Sequence, residues 1–67
     1  MATGTVGRVT DRGFGFIERV GEGDMFFHAS GLTGDLEFGE TLVGRRVEFT
    51  IEQSGRGPRA VEIRPAD

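Results

Sequence analysis

Apolar residues recur along this chain with a period of two, in short stretches separated by glycine-rich turns, and no i, i+3, i+4 stripe lasts two helical turns. The pattern predicts strands and almost no helix. Residues 4–10, with Thr5, Val6 and Val9 as strand formers, lead into Asp11-Arg12-Gly13, a tight-turn sequence. Residues 14–20 make a second strand, Gly21-Glu22-Gly23 a second turn and residues 24–28 a third strand, so three strands meander by His28. Residues 29–44 lose the alternation among glycines and isolated Leu, Val and Phe. That length predicts a long connection with one turn of 3₁₀ helix near Ser30-Gly31-Leu32. Alternation returns over 45–51, with Val47, Phe49 and Ile51 on one face and Arg46, Glu48 and Thr50 on the other. Gly55-Arg56-Gly57-Pro58 then turns the chain into a last strand over 60–63, whose entry after Pro58 suits a strand start or an edge.

Three meandering strands, a long crossing connection and two more strands predict an all-β fold, a five-stranded antiparallel Greek-key barrel whose closure removes exposed edges. An SH3-like barrel shares these strand statistics, so the side chains must separate the two. The 67 residues form a single domain over 1–67. A chain this short buries only about 60% of its unfolded surface, which leaves little room for a cofactor or a deep pocket, and none is expected. With no Cys there is neither a disulfide framework nor a thiolate metal site to supplement the core.

No apolar run approaches the roughly 20 residues that span a membrane, and no basic start precedes one; a cytoplasmic monomer is expected. A net charge of −3 argues against a phosphate-rich partner at long range. Its distribution changes the picture, because residues 20–40 hold Glu22, Asp24, Asp35, Glu37 and Glu40 and no Arg. The eight arginines against the six remaining carboxylates leave the rest of the chain at plus two. Binding by base stacking tolerates such a balance better than binding by phosphate neutralisation. The use of Arg in place of Lys throughout fits planar groups that stack on bases, or a compositional bias that the lack of Asn and Tyr also suggests.

Four of the six Phe residues lie between positions 14 and 27. Period two places Phe14 and Phe16 on one face of the second strand with Ile17 on the other. On the third strand Phe26 and His28 share a face opposite Met25 and Phe27. If Val6, Ile17, Met25 and Phe27 line the barrel, Phe14, Phe16, Phe26 and His28 stand outside it. A single bulge would reverse this and send Phe14 and Phe16 inward. Volume argues for the outward placement, since a core of Met25, Phe27, Val47, Phe49, Ile51, Val61 and Ile63 cannot also accept three Phe rings without overpacking. Exposed rings beside Arg12, Arg19 and His28 match what unstacked bases require.

Asp11-Arg12-Gly13-Phe14-Gly15-Phe16-Ile17 and Asp24-Met25-Phe26-Phe27-His28-Ala29-Ser30 resemble the two ribonucleoprotein motifs of the cold-shock domain, in that order. The likeness extends to Gly4-Thr5-Val6 and to Gly55-Arg56-Gly57-Pro58-Arg59-Ala60-Val61. The resemblance implies an OB-fold that binds single-stranded RNA or DNA, as an RNA chaperone or as a regulator of transcription or translation. By the same resemblance the stacking positions fall on Phe14, Phe16, Phe26 and His28, with Phe38 as a further platform. Arg12 and Arg56 lie near the strand, and Asp24 is placed to accept from a base edge. Two departures shrink the expected surface. Gly7-Arg8-Val9-Thr10 stands where the family commonly has Trp-Phe-Asn, so Arg8 replaces an indole, and Ala29 replaces a further ring found in many members. Arg8 can still stack on a base or reach a phosphate, or be a solvated residue beside a Glu.

An enzyme would need convergent polar groups, yet His28 is the only His and no Ser, Asp or Glu has nucleophile or metal-ligand spacing. The alternative to nucleic-acid binding is a small β-barrel interaction module that turns the same Phe patch toward an apolar protein.

Overall fold

Strands that each carry an apolar face gain most by rolling that face into a closed interior. The computed structural model, which describes residues 2–34, 36–55 and 57–66, shows this arrangement. Strands β1 (Ala2–Val9), β2 (Phe14–Glu18), β3 (Met25–His28), β4 (Arg46–Ser54) and β5 (Gly57–Pro65) close in the order β1-β2-β3-β5-β4. The expected ladders are antiparallel with one exception, because β3 and β5 run parallel, with Phe27 opposite Ala60. That exception is a necessity of counting. Directions cannot alternate around a ring with an odd number of strands, so one neighbouring pair must run the same way.

The turns follow from their residues. Thr10 N–H donates to the Phe14 carbonyl at 2.9 Å, and Gly13, at φ +91°, takes the left-handed conformation that closes a three-residue hairpin loop. At the next turn the Arg19 guanidinium donates to the carbonyls of Gly23 at 3.2 Å and Glu22 at 2.9 Å. A 3₁₀ turn occupies Ala29–Gly31, one residue before the expected place, and a second, unexpected one occupies Glu40–Leu42.

Val6, Ile17, Met25, Phe27, Leu42, Val47, Phe49, Ala60 and Ile63 form the buried core. Two residues assigned to it from the alternation do not belong. Ile51 is 41% exposed, and Val61 is only partly buried. Both departures have a visible cause. Between the pairs Glu48↔Arg64 and Thr50↔Val61, β4 holds one residue and β5 holds two, so β5 is bulged, with Glu62 at φ 52°. The bulge moves the phase of β5 so that Ala60 and Ile63 face inward. β1 meets β4 only as far as Ala2↔Phe49, so from Thr50 onward β4 has β5 alone as a described partner, and Ile51 lies on that ribbon.

Candidate nucleic-acid interface

The β2–β3 ladder pairs Phe14 with His28, Gly15 with Phe27, Phe16 with Phe26 and Ile17 with Met25. This register gives the two faces opposite characters. Ile17, Met25 and Phe27 are buried beneath it, whereas Phe14, Phe16, Phe26 and His28 share the outer face. Gly15 makes the inner packing possible, since a Cβ there would lie 2.8 Å from the Phe27 ring and would also collide with the Arg8 carbonyl.

The three outer rings form one cluster. Their centroids are 5.5 Å apart for Phe14 and Phe26, 6.1 Å for Phe14 and Phe16 and 6.1 Å for Phe16 and Phe26. Mutual contact half-buries Phe14 and Phe16, while Phe26 is 37% exposed. Arg8, opposite Phe16 across β1 and β2, holds its guanidinium carbon 4.9 Å from that ring's centroid, within cation–π distance. Its described partner is thus the aromatic face and not a Glu.

The other expected positions divide. Arg12 is exposed in the β1–β2 turn, its N–H 3.3 Å from the Thr10 hydroxyl oxygen. Asp24 is exposed beside β3 and lines a shallow hollow with Arg8, Phe16 and Glu18. Phe38 does not join the cluster: its ring is half-buried, 6.2 Å from the core ring of Phe27, because the connection before β4 folds back over that end of the core. Arg19, expected beside the rings, is drawn away by the β2–β3 turn that it braces, with its side chain only 15% exposed. Arg56 lies outside the described residues.

A groove continues from Phe26 and His28 to Ser54, Gly57, Pro58 and Arg59. Period-two alternation cannot join these residues to the aromatic face, because the parallel β3–β5 closure brings them together; the signal in the sequence is the family likeness of Gly55-Arg56-Gly57-Pro58-Arg59-Ala60-Val61. Among the described residues, no group of three His, Cys, Asp or Glu is placed to hold a metal ion.

A barrel closed in this order, with three rings on the outward face of β2 and β3 and Arg8 of β1 over one of them, is a small OB-fold. Its sequence matches the "Cold-shock" DNA-binding domain family over residues 2–66. The chain belongs to the cold-shock domain family. It is 43% identical over 54 residues to the cold shock-like protein CspE of Bacillus anthracis, covering 81% of this chain and 79% of that one. Identity to the cold shock-like protein CspLB of Listeria monocytogenes is 42% over 64 residues, 94% of this chain and 96% of the relative. The cold shock protein CspC of Bacillus subtilis is 39% identical over 56 residues, 84% and 83% of the two chains.

Proposed function

We propose that this chain, acting as one domain over residues 1–67, binds single-stranded RNA or DNA on the outer face of β2 and β3. Its role in the cell is that of an RNA chaperone or a regulator of transcription or translation, without catalysis. The observation that supports this most is the cluster of Phe14, Phe16 and Phe26, held outside a core that nine other residues fill. Flat rings on a sheet surface accept unstacked bases of any sequence, at about 1–3 kcal/mol per stacked base. Arg8, Asp24 and His28 border the rings and contact the strand's edges, Arg12 and Arg56 approach its backbone, and Phe38 contributes from the connection before β4 only if the chain there opens away from Phe27.

The test is a titration of fluorescently labelled oligonucleotides, since the chain has no Trp or Tyr to report binding. A single strand is expected to bind much more tightly than a duplex of the same sequence, because paired bases offer no open face. Few arginines reach the strand, so the salt slope should correspond to about two or three neutralised phosphates at roughly 0.7 per contact. Equal affinity for duplex and single strand would defeat the stacking mechanism. Absence of binding to either would favour the protein-interaction alternative.

A further inference from the structure

His28 occupies two environments at once. Its ring lies on the aromatic face opposite Phe14, and the same ring caps the 3₁₀ turn that follows β3. The Ser30 backbone N–H donates to His28 Nδ1 at 3.1 Å, and Ser30 Oγ lies 3.0 Å from the same nitrogen. A backbone N–H can only donate, so Nδ1 must offer its lone pair. In the neutral ring the proton therefore resides on Nε2, and the Ser30 hydroxyl, facing a bare nitrogen, acts as a second donor. Nε2 is left above the β1–β2 turn, where even a Cβ built on Gly13 would stay 3.8 Å away. Among the described residues none hydrogen-bonds to it.

We infer that Ser30 is a positioning residue for strand binding: by occupying Nδ1 from its own backbone and hydroxyl, it holds the uncharged His28 ring in the Nε2–H tautomer, a donor aimed at an acceptor atom of a bound base. The inference rests on the single-strand function proposed above and adds a directed polar contact to it. A base lying on Phe14 has its edge beside residue 28, because the two residues are paired across the ladder. Stacking alone would leave the orientation of that base undetermined. A donor of fixed position selects orientations that bring a ring nitrogen or carbonyl oxygen to it.

The first measurement needs no ligand. Nitrogen NMR shifts of the imidazole, taken above neutral pH, are expected to show Nδ1 bare and Nε2 protonated. A tautomer mixture like that of free histidine, or a proton on Nδ1, would overturn the inference. Ser30→Ala should let a measurable share of the Nδ1–H form appear and weaken binding to a short thymidine oligonucleotide by about two- to tenfold, the range of one net hydrogen bond. Ser30→Thr keeps the hydroxyl and should restore both readouts. A Ser30→Ala variant with unchanged shifts and unchanged affinity would remove Ser30 from this role.

Two substitutions at residue 28 check the donor itself. His28→Gln places an amide N–H near the former Nε2, whereas His28→Asn can only replace the Nδ1 cap; neither keeps the ring for stacking. The Gln variant should bind the oligonucleotide about two- to tenfold more tightly than the Asn variant. Equal affinities of the two, with wild type binding normally, would overturn the donor and leave the stacking function standing. Failure of wild type to bind any single strand would defeat both.

Discussion

The β2–β3 ladder and the β4–β5 ribbon bury apolar side chains by the same rule and treat their outer faces in opposite ways. On β4 and β5 the outer residues answer one another: Arg59 meets Glu52 at 2.7 Å, Arg64 meets Glu48 at 3.2 Å and the Thr50 hydroxyl donates to Glu62 at 3.3 Å. On β2 and β3 the outer face carries Phe14, Phe16, Phe26 and His28, whose described partners are other rings, Arg8 and the cap at Ser30. A face of paired charges is complete in water, while a face of phenyl rings is not, since exposed apolar surface is stabilised by whatever covers it. On the function proposed above, one sheet region serves solubility and the other a ligand, although both contribute to a single interior.

The largest expected effect tests inside against outside within one strand. Phe26 and Phe27 are adjacent, yet one is exposed and the other fully buried. Phe27→Ala should cost about 3–5 kcal/mol, close to the whole stability of a domain this small, and urea melts should show little folded protein left. Phe26→Ala should leave the melt nearly unchanged. If Phe27→Ala proved the milder of the two, the assignment of faces would be inverted.

Next in size is the effect of the outer rings on the ligand. Phe26→Ala should weaken single-strand binding by about 1–3 kcal/mol with the fold retained. Phe16→Ala falls in the same range but toward its lower end, because Arg8 already lies over that ring and neighbouring rings half-bury it. Oligonucleotide titration of the two folded variants ranks them, and a larger loss at Phe16 would place the strand's main path nearer to β1.

These two ladders also differ in how much of them could be read from the sequence. Alternation on Phe14-Gly15-Phe16-Ile17 and Met25-Phe26-Phe27-His28 is unbroken, and each residue lies on the face that period two assigns. On β5 the same rule failed at Val61, because the bulge at Glu62 inserts a residue that no local preference announces, Glu being a poor candidate for positive φ. Ala60 and Leu42 are hidden core residues for a related reason: each stands next to a second apolar residue, Val61 and Val43, and only distant partners decide which of the two is buried. The positions of Phe38 and Arg19 are not legible from alternation, because their contacts, to Phe27 and to the carbonyls of Glu22 and Gly23, belong to loop geometry and not to strand periodicity.

The bulge supplies a smaller test. A non-glycine residue in the left-handed region costs about 1–2 kcal/mol, and Glu62 bears that cost in the middle of a strand. Glu62→Gly removes it, at the loss of an exposed hydrogen bond to Thr50 and some added freedom in the unfolded chain. The net expectation is a gain of about 0.5–1 kcal/mol in urea or thermal melts, with unchanged binding. A loss of stability beyond about 1 kcal/mol would mean that the Glu62 side chain holds the bulge in place.

The smallest expected effect closes the comparison from the charged side. Glu48 and Arg64 pair across β4 and β5 with side chains 35% and 50% exposed, so water and salt screen their attraction and both must give up rotamer freedom to meet. A double-mutant cycle with Glu48→Gln and Arg64→Met should return a coupling of only about 0.2–1 kcal/mol, shrinking as salt is raised. Neither substitution should change single-strand affinity by more than the small shift expected from net charge. Arg64→Met lowers the net charge by one and Glu48→Gln raises it by one, so any long-range electrostatic effect must have opposite signs in the two variants. Weakening of strand binding in both, at one fixed salt concentration, cannot come from net charge. That result would show that the ligand path crosses the β4–β5 ribbon and that its paired charges are part of the binding surface.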